Sequence, residues 1–249
     1  MTNRTLPLTL AAACGLMLAL NSPGRGGQDK KPILTDEQFN KFVAADAKFL
    51  NEALAKEKID KKLTRKIQAS ASLIIAYSGN STNPATAHSR PLAEHLLWRV
   101  EEGDWQTAKG YAAKLDPLPT KKVIYDGAQF KTDVVHLMYF FASEKVGGFG
   151  VEMELGNYDD QKDKISDAQF TRLTELGYKM AVIAKDAERF GPEKDKGAAT
   201  KKNWNAFATD MRETSLSLAT AATAKNETDV RQALKKLDSA CTNCHDVFK

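Results

Sequence analysis

The stretch Val230-Arg-Gln-Ala-Leu234-Lys-Lys-Leu237-Asp-Ser-Ala-Cys241-Thr-Asn-Cys244-His245-Asp-Val-Phe248 decides how this chain folds. Its apolar residues and both cysteines recur at steps of four, three, four, three and four. Such steps keep one seam of an α-helix turned towards the interior of a bundle. Cys241, Cys244 and His245 fall on neighbouring parts of one face of that helix, because residues three and four apart are neighbours on its surface. Two thiols at this spacing, followed directly by an imidazole, are what covalent haem attachment requires. The thiols reach the two vinyl groups and the imidazole reaches the iron.

Three other chemistries use paired cysteines. A thioredoxin-like dithiol sits at the start of a helix that follows a strand, where its thiol pKa is lowered. Here the pair sits at the end of the final helix. A structural zinc site needs four ligands, and His88, His95 and His136 stand apart without ligand spacing. A plain disulfide suits an exported protein, but it gives no role to the adjacent His245.

Working back from this helix, capping boxes open two others. Thr35-Asp-Glu-Gln38 precedes a stripe of Phe39, Val43, Ala47, Leu50 and Leu54, and Ser166-Asp-Ala-Gln169 precedes Phe170, Leu173, Gly177, Met180, Ala184 and Ala187. Leu63, Ile67, Ser70, Ile74 and Tyr77 predict a second helix, ending at Ser78-Gly-Asn. Leu92, Leu96, Leu97 and Val100 predict a third, and Trp105, Ala108, Ala112 and Leu115 a short fourth. Another begins near Lys201 and carries Trp204, Phe207, Met211, Ser215, Leu218 and Ala222. Val134 to Phe141 is apolar nearly all round and suits a buried helix in this company. Gly147, Gly148 and Gly150 read as a turn, because the preceding strand and following lysine of a phosphate-binding loop are absent. Asn157-Tyr-Asp-Asp-Gln-Lys-Asp163 reads as an acidic loop.

The fold class expected is therefore all-α, with a C-terminal four-helix bundle preceded by a smaller helical region. Pro117, Pro119 and the stretch to about Lys131 interrupt the pattern. They divide residues 30–116, which hold no haem motif, from a haem-binding bundle at 132–249. Thr35-Asp-Glu-Gln-Phe39 resembles Ser166-Asp-Ala-Gln-Phe170, and Ala112-Ala-Lys-Leu-Asp116 resembles Leu234-Lys-Lys-Leu-Asp238. These pairs hint at a degenerate repeat, but their offsets differ.

The chain has 249 residues, 42% of them apolar and only 8% aromatic, a balance suited to helical globular packing. Residues 1–27 have the form of a secretory signal peptide: Arg4, then apolar sequence from Leu6 to Leu20, then small and turn-forming residues. The apolar run is short of the roughly 20 residues that span a bilayer, and it continues past Cys14, unlike a lipoprotein signal. Cleavage leaves no later membrane span and points to a periplasmic or otherwise exported protein. It would remove Arg4, Arg25 and no acids, taking the formal charge from +4 to +2. Lys and Glu/Asp are interleaved throughout, which offers no clustered basic face for nucleic acid.

The terminal helix, ending Cys241-Thr-Asn-Cys244-His245-Asp-Val-Phe248-Lys249, resembles that of the cytochrome c′ family, in which Phe and a basic residue stand third and fourth after the haem histidine. Trp204 to Ala224 and the Lys-Asn-Glu turn after it are also similar to the family's third helix. The likeness covers about 120 residues, from roughly Thr132 onwards, and is specific only at the C-terminal end. It implies one covalent haem c, with Cys241 and Cys244 as its attachment points, His245 as the proximal iron ligand and Lys249 as the basic residue near it. It also implies a distal residue from the family's first helix. Aligning Val134-Val-His-Leu-Met138 with that helix makes Met138 the candidate distal ligand and His136 a lesser one. The glycine cluster departs from the family where the first helix should continue.

These readings predict one-electron transfer with a redox protein partner, and no enzymatic activity. The alternative is a five-coordinate haem that binds a small diatomic gas, NO or CO. A haem peroxidase ranks last, since only His136 could supply its distal acid–base group. Relatives in the family often dimerise, so the resemblance allows a homodimer.

Overall fold

Thr35 and Ser166 each accept a hydrogen bond from the backbone of the glutamine three residues on, and each glutamine side chain accepts one back from the cap. The capping boxes thus start α1 (Asp36–Leu54) and α7 (Asp167–Ala187). Between them lie α2 (Lys61–Gly79), α3 (Thr86–Glu101), α4 (Trp105–Ala112), α5 (Val134–Met138) and α6 (Val151–Asp160). The chain continues with α8 (Lys201–Thr223) and α9 (Glu227–Val247). This computed structural model describes residues 31–118, 132–161 and 163–248. Among them the regular structure is entirely helical apart from one isolated bridge, Lys196 to Ala199. The predicted signal segment 1–27, most of the interruption after Pro117, and Lys249 lie outside the described residues.

Helices α1 to α4 pack in sequence, and α1 also meets α4, closing a group of four. Its interior holds Phe39, Val43, Leu50, Ile67, Ile74, Tyr77, Leu92 and Leu96, all fully buried. In the C-terminal part, α7 packs on α8, α8 on α9 and α9 on α6. The apolar seam read from the sequence faces inward here: Val230, Leu234 and Leu237 of α9 are buried with Leu173 and Leu176 of α7 and Leu218 of α8. No described helix is long and apolar enough to cross a membrane.

The two groups meet along α2, which touches α5 and α7, and both belong to one compact unit, Pro32–Lys249. Asp46 of α1 is buried at the joint. Its carboxylate accepts hydrogen bonds from Tyr77 Oη at 3.0 Å, Ser70 Oγ at 3.3 Å and Lys179 Nζ at 3.3 Å. The Lys179 ammonium also lies 5.2 Å from the centre of the Phe42 ring and 5.7 Å from that of Tyr77. A buried carboxylate persists only when paired and hydrogen-bonded, and Lys179 supplies the pairing across the joint. The Tyr77 hydroxyl is pushed well above its ordinary pKa by burial and by the adjacent Asp46, so it remains a donor.

The glycine cluster forms a turn, as expected, and it serves docking. Gly147 has φ +91°, and a Cβ on it would lie 2.7 Å from the Lys62 backbone of α2. On Gly148 a Cβ would lie 1.9 Å from the Ala142 carbonyl. Only glycine lets this turn fold on itself while lying against α2. The expected acidic loop is corrected in its first part: Asn157 to Asp160 are the last turn of α6. Two ties across its polar sequence accompany that helix, Tyr158 Oη donating to Glu154 at 3.3 Å and Arg172 of α7 gripping the same carboxylate through two bonds of 2.8 Å. A short helix with little apolar periodicity offers no stripe to read.

Candidate functional site

The last turns of α9 leave the packed interior and border a cavity of about 490 Å³. Val230, Leu234 and Leu237 are buried, Cys241 and Cys244 only partly so, and His245 is exposed. Cys241, Cys244 and His245 all line this cavity. Its other walls are Met138 at the end of α5, Phe141 beyond it, Leu155 and Gly156 of α6, Met180 and Ile183 of α7, and Trp204, Phe207 and Met211 of α8. The four C-terminal helices therefore enclose one hollow end, with the thiols and imidazole on one side and Met138 on another wall.

Both cysteines are free. Burial pushes the Cys241 thiol up to about 11, with the nearby Glu152, Asp238 and Cys244 adding to the shift, and burial likewise raises Cys244. The C-terminal end of a helix, with its partial negative charge, also disfavours a thiolate. Redox-active dithiols need the opposite, a depressed pKa, so this pair is unsuited to thiol–disulfide exchange. Among the described residues no three His, Cys, Asp or Glu side chains converge as a metal-ion cage, which leaves a zinc half-site without its remaining ligands.

The cavity suits a covalently held haem on three counts. Its volume lies within the ~300–1,000 Å³ typical of cofactor and ligand sites. Its walls are mainly apolar, while the carboxylates of Glu152, Asp160 and Asp238 stand at its exposed edge. Gly156 leaves a gap in the α6 wall, since a Cβ added there would meet nothing within 4 Å. Glycine inside a helix costs about 1 kcal/mol relative to alanine, and at this wall it leaves room for a flat group.

Met138, the candidate distal ligand, lies at the cavity. His136 does not. Its Nε2 lies 3.4 Å from Glu101 Oε1 of α3, and the residue is 9% exposed and outside the cavity lining. Residues two positions apart are not neighbours on a helix face, and of this pair Met138 alone reaches the cavity; the lesser distal candidate is thereby corrected. Met180, Met211, Trp204 and Phe207 were legible as inward stripes, but not as the lining of a cavity. Periodicity says which face is inside and is silent on whether side chains or a cofactor fill it.

Residues 172–249 match the cytochrome C′ family model. The cytochrome c′ match begins within α7 and runs through α8 and α9, taking in both cysteines and His245. It is a likeness over these residues, and a covalently bound c-type haem is what that likeness suggests. Met138 of α5, Phe141 after it, and Leu155 and Gly156 of α6 lie outside the cytochrome c′ match. The chain matches none of the curated proteins or solved structures compared with it.

Proposed function

We propose that the protein is an exported one-haem electron carrier, with Cys241 and Cys244 as thioether attachment points and His245 as the proximal iron ligand. The observation that carries this proposal is the convergence of the three side chains on a single, mainly apolar cavity. When bound, the haem supplies a one-electron ferric–ferrous couple. The two cysteines would prevent its loss, and His245 would hold the iron. The walls exclude water and lower the local dielectric, both of which tune the potential. Met138 is the proposed sixth ligand, which would saturate the iron and leave electron exchange as its main chemistry. A general-acid role has little support, because His136 is turned towards Glu101. The electron partner would be another redox protein, met outside the cytoplasm, and Lys249 is the proposed basic neighbour of His245.

The apolar side chains of the same cavity, Phe141, Leu155 and Ile183, favour a second proposal. A five-coordinate iron facing such a wall would bind NO or CO, with Met138 as lining and not as ligand. The optical spectrum of the ferric and ferrous protein, with and without carbon monoxide, separates the two. A low-spin spectrum indifferent to the gas is expected of the carrier; a high-spin spectrum that shifts on adding it would refute that assignment. Haem that leaves the protein in acidified organic solvent would refute the thioether bonds.

A further inference from the structure

His245 is placed on the last turn of α9, where helices ordinarily fray. The side chain that ties this turn down is Phe248, the C-cap residue, whose backbone N–H donates to the Cys244 carbonyl at 2.9 Å. Its ring meets Trp204 of α8 at 5.1 Å between centroids and 87° between planes, and Phe207 at 6.1 Å and 87°. Edge-to-face pairs of this kind add to the stabilisation that burial alone gives. Trp204 is itself held. Its Nε1 donates to the Ala187 carbonyl, at the end of α7, at 2.7 Å. A Cβ at Gly191 would lie only 3.0 Å from the indole Cδ1, so the glycine gives the ring its place. Trp204, Phe207, Ala187, Cys244 and His245 all border the cavity.

We infer that Trp204 is a positioning residue for His245, acting through Phe248 to fix the turn that presents the imidazole to the iron. This inference rests on His245 being the proximal ligand. Metal-bound histidines are usually oriented by a hydrogen bond to the far ring nitrogen. Here the backbone that carries the histidine is clamped by aromatic rings, and the clamp is anchored to the end of a different helix. With the indole gone, the α9 terminus gains freedom and the imidazole donates less well to the iron, which favours the ferrous form.

The test uses the haem-loaded full chain, with Trp204→Leu and Trp204→Phe beside the parent. Mass spectrometry of the parent first establishes whether a covalent haem is present; its absence would remove the His245 assignment, and the inference with it. With haem present, Trp204→Leu is expected to shift the ferric–ferrous equilibrium about tenfold towards ferrous, a rise of ~59 mV for one electron. Trp204→Phe, which keeps a ring against Phe248 but loses the bond to Ala187, should recover most of that shift. Should Trp204→Leu fail to accumulate, Phe248→Leu tests the same clamp from the α9 side and is expected to raise the potential in the same direction. A parental potential and spectrum in a variant that has only lost thermal stability would overturn the inference and leave Trp204 as a packing residue.

Discussion

Helices α1–α4 and α6–α9 are both groups of four, yet one is filled by its own side chains and the other is hollow at one end. The two largest fully buried side chains among the described residues, Tyr77 and Phe39, both belong to the first group. Around the cavity the α7, α8 and α9 walls instead include Ala184, Ala187, Ala208 and Ala240, and α6 adds Gly156. Protein interiors are close-packed, and a void of this size without an occupant forfeits a large dispersion and burial contribution. The small residues are therefore the counterpart of a bulky guest. The N-terminal group has no such need, and its described histidines, His88 and His95, stand outside any metal-ligating cluster.

The difference is sharpest at the joint, where the filled group steadies the hollow one. Lys179 of α7 supplies the positive charge that faces the buried Asp46, next to Met180 on the cavity wall. Lys179→Met should leave Asp46 buried without its cation and cost about 3–5 kcal/mol, the usual penalty for breaking a buried pair from one side. The double variant Asp46→Asn with Lys179→Met should recover a good part of that loss. Urea unfolding of the two proteins measures the difference, and equal losses in both would show that an unpaired Asp46 charge is not what destabilises the single variant.

Equivalent truncations should then separate a filled interior from a cavity wall. Leu96 is fully buried in the first group, and Leu96→Ala should cost about 2–5 kcal/mol through lost burial and the void left behind. Met138 is partly buried against the core and borders the cavity. Met138→Ala should cost less than about 1.5 kcal/mol in the haem-loaded protein, yet alter the ferric spectrum if the thioether binds iron. Equal stability losses with an unaltered spectrum would place Met138 among ordinary core residues.

Much of this contrast was legible in the sequence. The capping boxes at Thr35 and Ser166, the apolar stripes of α1, α2 and α7–α9, and the seam that carries the cysteines all depend on local spacing, and local spacing survives tertiary packing. Met138 was named from the family likeness of Val134–Met138 and not from any spacing of its own, and it borders the cavity. What spacing could not supply was hollowness. Met180 and Ala184 continue the same stripe as Leu173, and nothing in their period distinguishes a packed neighbour from a cavity. The helical state of Asn157–Asp160 was hidden for a related reason: its stabilising partner, Arg172, lies on a different helix. The role of Gly147 and Gly148 was legible as a turn, while the contact of Gly147 with α2 depends on Lys62, more than 80 positions away in sequence.

The smallest expected effect concerns His136, which joins α5 to α3 of the filled group. Burial lowers its pKa from the usual 6.5, against the opposing influence of Asp133, and Glu101 lies beside its Nε2. Above about pH 6.5 the imidazole is neutral in both folded and unfolded chains and contributes no pH dependence. As the pH falls below that value the unfolded chain takes up the proton first, so stability declines until the folded imidazole also protonates. The decline from this one group cannot exceed about 1.4 kcal/mol per pH unit. His95, whose pKa burial also lowers, acts in the same direction, so His136→Gln should reduce the acid slope without abolishing it. Urea unfolding at a series of pH values between about 7 and 5 measures this, and a variant slope as steep as the parent's would mean that His136 takes its proton as readily in the fold as out of it. Because His136 sits two residues from Met138 but faces the other way, the same substitution should leave the haem spectrum unchanged at neutral pH, separating the joint from the cavity it supports.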